Sequence, residues 1–282
     1  MMKGVYIMSN HYYNFAEDID KYPDCWCYLI FSGRNTGKTY SALKTMYDRH
    51  YNFGFVKRTN DDVDILCRND SNPRFNLSPW KAIERDNSHI RVKAKKLMKG
   101  IGVFYTEADN GTDVPEEIPI GYVYSLNAIG DIKGFNQEAD YLIFDEFIPK
   151  PWERTNRNEG DQLLDLYKTL DRDRIHRGLQ PTKLVCLANS TEINNPVFST
   201  LEVVDLIASL DTQPEYVIVD RGIMIRKIGN SAFKAIEETH PMLEALKNTR
   251  WGKMAVDGSF SYNDFSLVKK ISLDMEDVKK WI

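Results

Sequence analysis

The residues Phe31-Ser32-Gly33-Arg34-Asn35-Thr36-Gly37-Lys38-Thr39 have the composition of a loop that cradles phosphate. Small residues from Ser32 to Gly37 let backbone N–H groups turn toward an anion. Lys38 is a cation for the terminal phosphates, and the Thr39 hydroxyl is a ligand for Mg²⁺. The usual pattern has glycine where this chain has Ser32, with Gly33 beside it. A second pair, Asp145-Glu146, closes the apolar run Tyr141-Leu142-Ile143-Phe144. At the carboxyl end of a buried strand, Asp145 is placed to hold Mg²⁺, largely through its waters. Glu146 is placed to orient and polarise an attacking water, since phosphoryl transfer is mostly positioning and charge stabilisation. A third run, Lys183-Leu184-Val185-Cys186-Leu187-Ala188, ends in Asn189-Ser190-Thr191. Asn189 there could contact a γ-phosphate or the water, or it could cap a strand-to-loop turn.

The elements that must carry these groups follow from periodicity. Cys27-Tyr28-Leu29-Ile30 is an apolar strand ahead of the loop, and the segment after it puts Ala42, Leu43, Met46 and Tyr47 on one helical face. Such a helix aims its N-terminus at the bound anion. Continuous apolar runs at 27–30, 141–144 and 184–188 read as parallel strands buried on both faces. Residues 90–124 read as a strand-rich insertion with a polar, acidic loop at 107–118. Residues 201–210 read as a linking helix, and a hairpin turns at Asp220-Arg221-Gly222. A helix follows over 232–247, with short strand-like pieces around 260–268.

Three blocks together resemble a known family: Ser32 to Thr39, Tyr141-Leu142-Ile143-Phe144-Asp145-Glu146-Phe147-Ile148-Pro149, and Ala188-Asn189-Ser190 continuing to Asn194-Asn195-Pro196-Val197-Phe198. The sequence is similar to the double-stranded-DNA packaging ATPases, or DNA encapsidation proteins, of small podophages, themselves distant relatives of terminase large subunits. The resemblance covers residues 10–200, and the basic Arg34 inside the loop fits it. It implies an α/β P-loop fold of the additional-strand catalytic-Glu type with a mainly parallel sheet, in which the loop is the Walker A element and Asp145-Glu146 the Walker B element. It also implies ATP and Mg²⁺ as cofactors, and a homo-oligomeric ring, a pentamer, on the phage portal. Duplex DNA and the procapsid are the implied partners, with a structural RNA in some relatives, and the implied location is the host cytoplasm. In such a ring an arginine of one subunit completes its neighbour's site. Residues 159–177 read as a helix with Leu163, Leu166, Tyr167 and Leu170 on its apolar face and Gly178 after it. Arg172 and Arg174 near its end are the candidate trans arginines; an Asp-Arg-Asp-Arg surface of local ion pairs is the other reading.

For nucleic acid, Arg91, Lys93 and Lys95 share one face of an alternating strand, opposite Val92 and Ala94. Such a face could track phosphates, or its lysines could discourage edge-to-edge pairing. Lys133 is a further candidate, and Lys57 with Arg58 a third, either on phosphate or closing a strand. Tyr13 or Asn14 could lie beside an adenine, and Asn156 or Asn158 could hold Glu146 in an inactive pose. The net charge of −4 is no obstacle to a motor, which needs only a local positive lining. An apolar content of 42% supports a packed core. Residues 2–20 show no apolar run of the kind a secretion signal needs, and no membrane span is expected. The expected division is an ATPase domain at 1–200, a linker at 201–213 and a small α+β C-terminal domain at 214–282. That last domain is a degenerate nuclease or a docking module, with Asp220, Asp257 and Asp264 as its scattered carboxylates. A helicase-like motor and a nucleotide-dependent scaffold that does not translocate are the alternatives.

Overall fold

The computed structural model describes residues 12–68, 77–109, 111, 115–128, 130, 138–150, 153, 156–210, 213–229, 240–257 and 260. Its strands are β1 (Cys27–Ser32), β2 (Phe53–Lys57), β3 (Lys93–Met98), β4 (Ile101–Ala108), β5 (Glu116–Ser125), β6 (Tyr141–Asp145), β7 (Lys183–Asn189), β8 (Tyr216–Asp220) and β9 (Ile223–Ile228). They form one sheet in the order β3-β4-β5-β2-β6-β7-β1-β9-β8. From β5 across to β9 every neighbouring pair is parallel. The β3-β4-β5 meander at one side and the β8-β9 hairpin at the other are antiparallel.

The apolar runs expected at β1, β6 and β7 are the centre of this sheet. Strand β7 lies between the loop-bearing β1 and the carboxylate-bearing β6, which is the additional-strand arrangement that the resemblance implied. Ser32 pairs in register with Asn189, and Asp145 with Leu187. Ser32, Asp145 and Asn189 therefore emerge at the same carboxyl edge.

The helices are α1 (Phe15–Lys21), α2 (Lys38–Asp48), α3 (Asn60–Leu66), α4 (Lys81–Asp86), α5 (Glu159–Leu170), α6 (Pro196–Thr200), α7 (Val204–Leu210), α8 (Pro241–Leu246) and α9 (Arg250–Asp257). Alternation along β1 sends Tyr28 and Ile30 to one face, where α1 and α2 add Phe15, Ile19, Ala42, Leu43 and Met46. It sends Cys27, Leu29 and Phe31 to the other, against Leu163, Leu166 and Leu170 of α5 and Phe198 of α6. Each fully buried Leu or Phe contributes roughly 1.5–3 kcal/mol, so the sheet that positions the site is held from both sides. All four cysteines are free and buried. Among the described residues no helix is long and apolar enough to cross a membrane.

Two expectations change. The hairpin assigned to a separate domain after residue 213 is part of the same sheet, because β9 runs parallel to β1 from Cys27↔Ile223 to Ser32↔Ile228. Its apolar residues Ile223, Met224 and Ile225 are buried in the two faces of the common core. Helix α5 also stops at Leu170, short of the expected 177. The Asp171 carboxylate accepts the Thr182 N–H at 2.8 Å, and Asp173 takes a positive φ of 59°. A 3₁₀ turn, Ile175–Arg177, then leads to Gly178 in the left-handed conformation. The insertion is strand-rich as expected. Most of the helix expected at 232–247, and the strand-like pieces after 260, lie outside the described residues.

Candidate functional site

The loop between β1 and α2 is a tight turn that two left-handed residues make possible, Asn35 at φ 58° and Gly37 at φ 82°. Gly37 ends it as the N-cap of α2, so Lys38 and Thr39 open the helix. Lys38 is buried, and its ammonium donates to Gly33 O at 3.1 Å, Thr36 Oγ1 at 3.1 Å and Asn189 Oδ1 at 3.4 Å, as well as to Ser32 Oγ. Ser32 is fully buried, so the hydroxyl found in place of the usual glycine fits within the loop and acts as an acceptor for the lysine. Burial lowers the Lys38 pKa to about 7, against the opposing charge of Asp145. An anion in the loop favours its charged form.

Helix α9 closes one side of the loop. A Cβ on Gly33 would stand 2.7 Å from Ala255 O, so only glycine permits this approach. The Arg34 N–H donates to the same carbonyl at 3.2 Å, while the Arg34 side chain is exposed. On another side, Tyr13 N donates to Thr36 O at 3.1 Å, and the ring of Tyr12 lies against Gly37. Tyr13 itself is buried, with its hydroxyl donating to Asp18 at 2.7 Å, and Asn14 caps α1. Both residues proposed for adenine are thus structural; Tyr12 is the ring that reaches the loop.

Opposite the loop, Thr39 Oγ1 donates to Asp145 Oδ1 at 2.8 Å, and Lys57 Nζ donates to Asp145 Oδ2 at 2.9 Å. Strand register explains the second contact, since Val56 pairs with Phe144 and the next residues along are Lys57 and Asp145. Glu146 follows with its side chain half exposed, its Oε2 3.9 Å from Lys57 Nζ. Burial works against the Lys57 ammonium, but Asp145 and Glu146 together hold its pKa above the ordinary lysine value. Loop residues from Asn35 to Tyr40 enclose a cleft of about 290 Å³ with Asp145, Glu146, Ala188 and Asn189. A hydroxyl and a carboxylate oxygen side by side suit a hard cation such as Mg²⁺. An ammonium among small loop residues at a helix N-terminus suits a polyphosphate.

Other expected residues lie elsewhere. Arg174 is buried, and it donates to Asp140 Oδ1 at 2.6 Å and to Gln180 O at 2.8 Å. Asp140 precedes β6, so this pair stitches the end of the sheet away from the loop. Arg172 is exposed. On β3, Lys93 pairs with Glu107 at 2.6 Å and Lys96 with Asp64 at 2.7 Å, while Lys95 pairs with Glu117. Arg91 donates to the Ile90 and Glu84 carbonyls. The lysines of this edge strand thus have acidic neighbours in exposed ion pairs, which are worth little energy each. Lys133 lies outside the described residues. Asn156 Oδ1 accepts from Asn158 N, and no contact joins either to Glu146 among the described residues.

Lys57 and Arg58, at the end of β2, lie beside the Asp145-Glu146 pair. Arg58 grips Glu159 and the carbonyls of Glu146 and Phe147. The signal was their place at the end of the apolar run 53–56, but only the sheet order shows that this run neighbours β6.

No protein-family model matches the sequence, and no curated protein matches it. In fold the chain is similar to the Phi-28 gp11 DNA packaging motor, with 21% identity and a TM-score of 0.59 over 89% of this chain and 68% of that one. Two structures of the large terminase ATPase domain of Thermus phage P74-26, one a point mutant, match more distantly. They share 8% and 9% identity at TM-scores of 0.43 and 0.44, over 84% of this chain and 89% of theirs.

Proposed function

We propose that this chain is an ATP-driven motor that moves double-stranded viral DNA into a preformed procapsid. The observation that carries the reading is the meeting of Lys38, Thr39, Asp145 and Glu146 around one cleft at the carboxyl end of the additional-strand sheet. The shared fold with a DNA packaging motor supports the choice of DNA among the things such a site could move.

In this reading the Lys38 ammonium neutralises the terminal phosphates, with Ser32 and Asn189 holding it in line. Thr39 and Asp145 would hold Mg²⁺, which when bound offsets charge on the phosphate oxygens. Glu146 orients a water for in-line attack and accepts a proton from it as the new oxygen–phosphorus bond forms. Asn189 stands beside the γ-phosphate position. Of the two arginines considered for a neighbouring subunit, Arg172 alone has an exposed side chain to offer in a ring. Lys57 accompanies the Asp145-Glu146 pair from β2 and offsets its paired negative charge.

The test is nuclease protection of linear duplex DNA by procapsids supplied with this chain and ATP. Full-length protected DNA with the wild type and none with Glu146→Gln supports the reading. Equal protection by both would contradict it.

A further inference from the structure

The backbone at Glu146 is in the left-handed region, at φ 59°, a conformation that is sterically unfavourable for a non-glycine residue. Such a residue stays in place only when its surroundings hold it. On one side the hold is plain: Phe147 is buried, packs edge-on against Phe198 at 5.2 Å, and donates its N–H to Leu187 O at 3.2 Å. On the other side it is Arg58. Its Nη2 donates to the carbonyls of Glu146 and Phe147, both at 3.2 Å, and to Glu159 Oε1 at 3.0 Å. Its Nε donates to Glu159 Oε2 at 2.6 Å, its Nη1 to Glu153 Oε2 at 3.3 Å, and its plane lies over the Phe144 ring at 5.6 Å. The Arg58 side chain is 13% exposed and that of Glu159 2%. All three guanidinium nitrogens thus have partners within the protein.

From this geometry we infer that Arg58 is a positioning residue for hydrolysis. Locked by Glu159, it fixes the turn that presents the Glu146 carboxylate to the cleft. The inference rests on the reading of Glu146 as the group that orients water. The residue types fit the task. Only a planar fork satisfies a carboxylate bidentately while also reaching two carbonyls; a lysine at this place carries the charge on one atom and loses that set. Glu159 is the first residue of α5, where a carboxylate is favoured by the helix N-terminus, so the clasp also ties the orientation of Glu146 to the seating of α5. A shift of α5 against the sheet is thereby transmitted to the water-orienting carboxylate without any change in the phosphate loop.

The test compares wild type, Arg58→Lys and Glu159→Gln in steady-state ATP turnover, in affinity for a fluorescent ATP analogue, and in amide hydrogen exchange at residues 146–148. The expected result for Arg58→Lys is a ten- to hundredfold fall in turnover at saturating ATP, with affinity within threefold of wild type. Exchange at the Phe147 amide should be faster, and Glu159→Gln should act in the same direction. Where Arg58→Lys fails to fold, Glu159→Gln, which keeps the shape of the side chain, decides. Wild-type turnover in a folded Arg58→Lys protein would overturn the inference alone. So would a loss of turnover matched by an equal loss of nucleotide binding, the mark of a merely structural pair. Absence of hydrolysis by the wild type would instead overturn the reading of the site, and this inference with it.

Discussion

Strand β6 carries an aspartate at each end, and each is paired with a cation, yet the two ends are built for different purposes. Before the strand, Asp140 takes the Arg174 guanidinium on one oxygen and the Asn52 N–H on the other at 3.0 Å. Its own N–H donates to Asn52 O, its own carbonyl accepts from Lys183 N, and Arg174 also holds Gln180 O. That end is a closed network with its donors and acceptors matched. At the other end, Asp145 is shared between Thr39 and Lys57 at the wall of an open cleft. Next to it, Glu146 sits in a left-handed turn with its side chain half exposed, and Lys38 is buried at a lowered pKa. A closed ion pair stabilises a fold; charges gathered around a cleft, with backbone strain beside them, are where chemistry is done.

The comparison can be broken by substitution at either end. The largest expected effect is from Glu146→Gln, which keeps the shape and removes the charge. Its ATP turnover should fall by ~100-fold or more while ATP binding stays near wild type. Retained turnover in this variant would mean that the open end is not the hydrolytic one. A smaller effect is expected for Asn189→Ala, about tenfold in turnover, from the loss of one polar contact to the lysine and the reacting phosphate. At the closed end Arg174→Ala should do the reverse. It leaves a partly buried carboxylate without its partner and should cost ~2 kcal/mol, lowering the melting temperature by about 4 °C. Turnover per folded molecule should not change; a specific loss in the assembled state would return Arg174 to the role of a trans arginine. The smallest effect belongs to the sheet edge. Lys95→Gln breaks one exposed ion pair worth about 0–1 kcal/mol and should leave duplex-DNA affinity within twofold by fluorescence anisotropy. A severalfold loss there would restore β3 as a DNA-tracking face.

What was legible in the sequence was what is local. The loop from Ser32 to Thr39, the strand ending in Asp145-Glu146, and Asn189 at the end of its own strand each announce themselves within a few residues. The sheet brings them together as their types suggested. What was hidden depends on pairing between distant segments. Nothing in the run Ile223-Met224-Ile225 says that it lies beside β1, so a hairpin of the main sheet read as a new domain. Arg174 read as a trans arginine or as one member of a local Asp-Arg surface, because its partner Asp140 meets it only through packing across the chain. Arg58 is the strongest case: its contacts with Glu159 and with the backbone at Glu146 require three elements in register, and no spacing in the sequence encodes them. The departure at Ser32 is explained only by the structure, where its hydroxyl accepts from Lys38.

The most direct measurement is Mg²⁺-dependent ATP turnover by the wild-type chain, with and without long linear duplex DNA, using Glu146→Gln as the blank. The account predicts turnover that rises with DNA and vanishes in the blank. Turnover absent in the wild type, or present and equal in the blank, would contradict it.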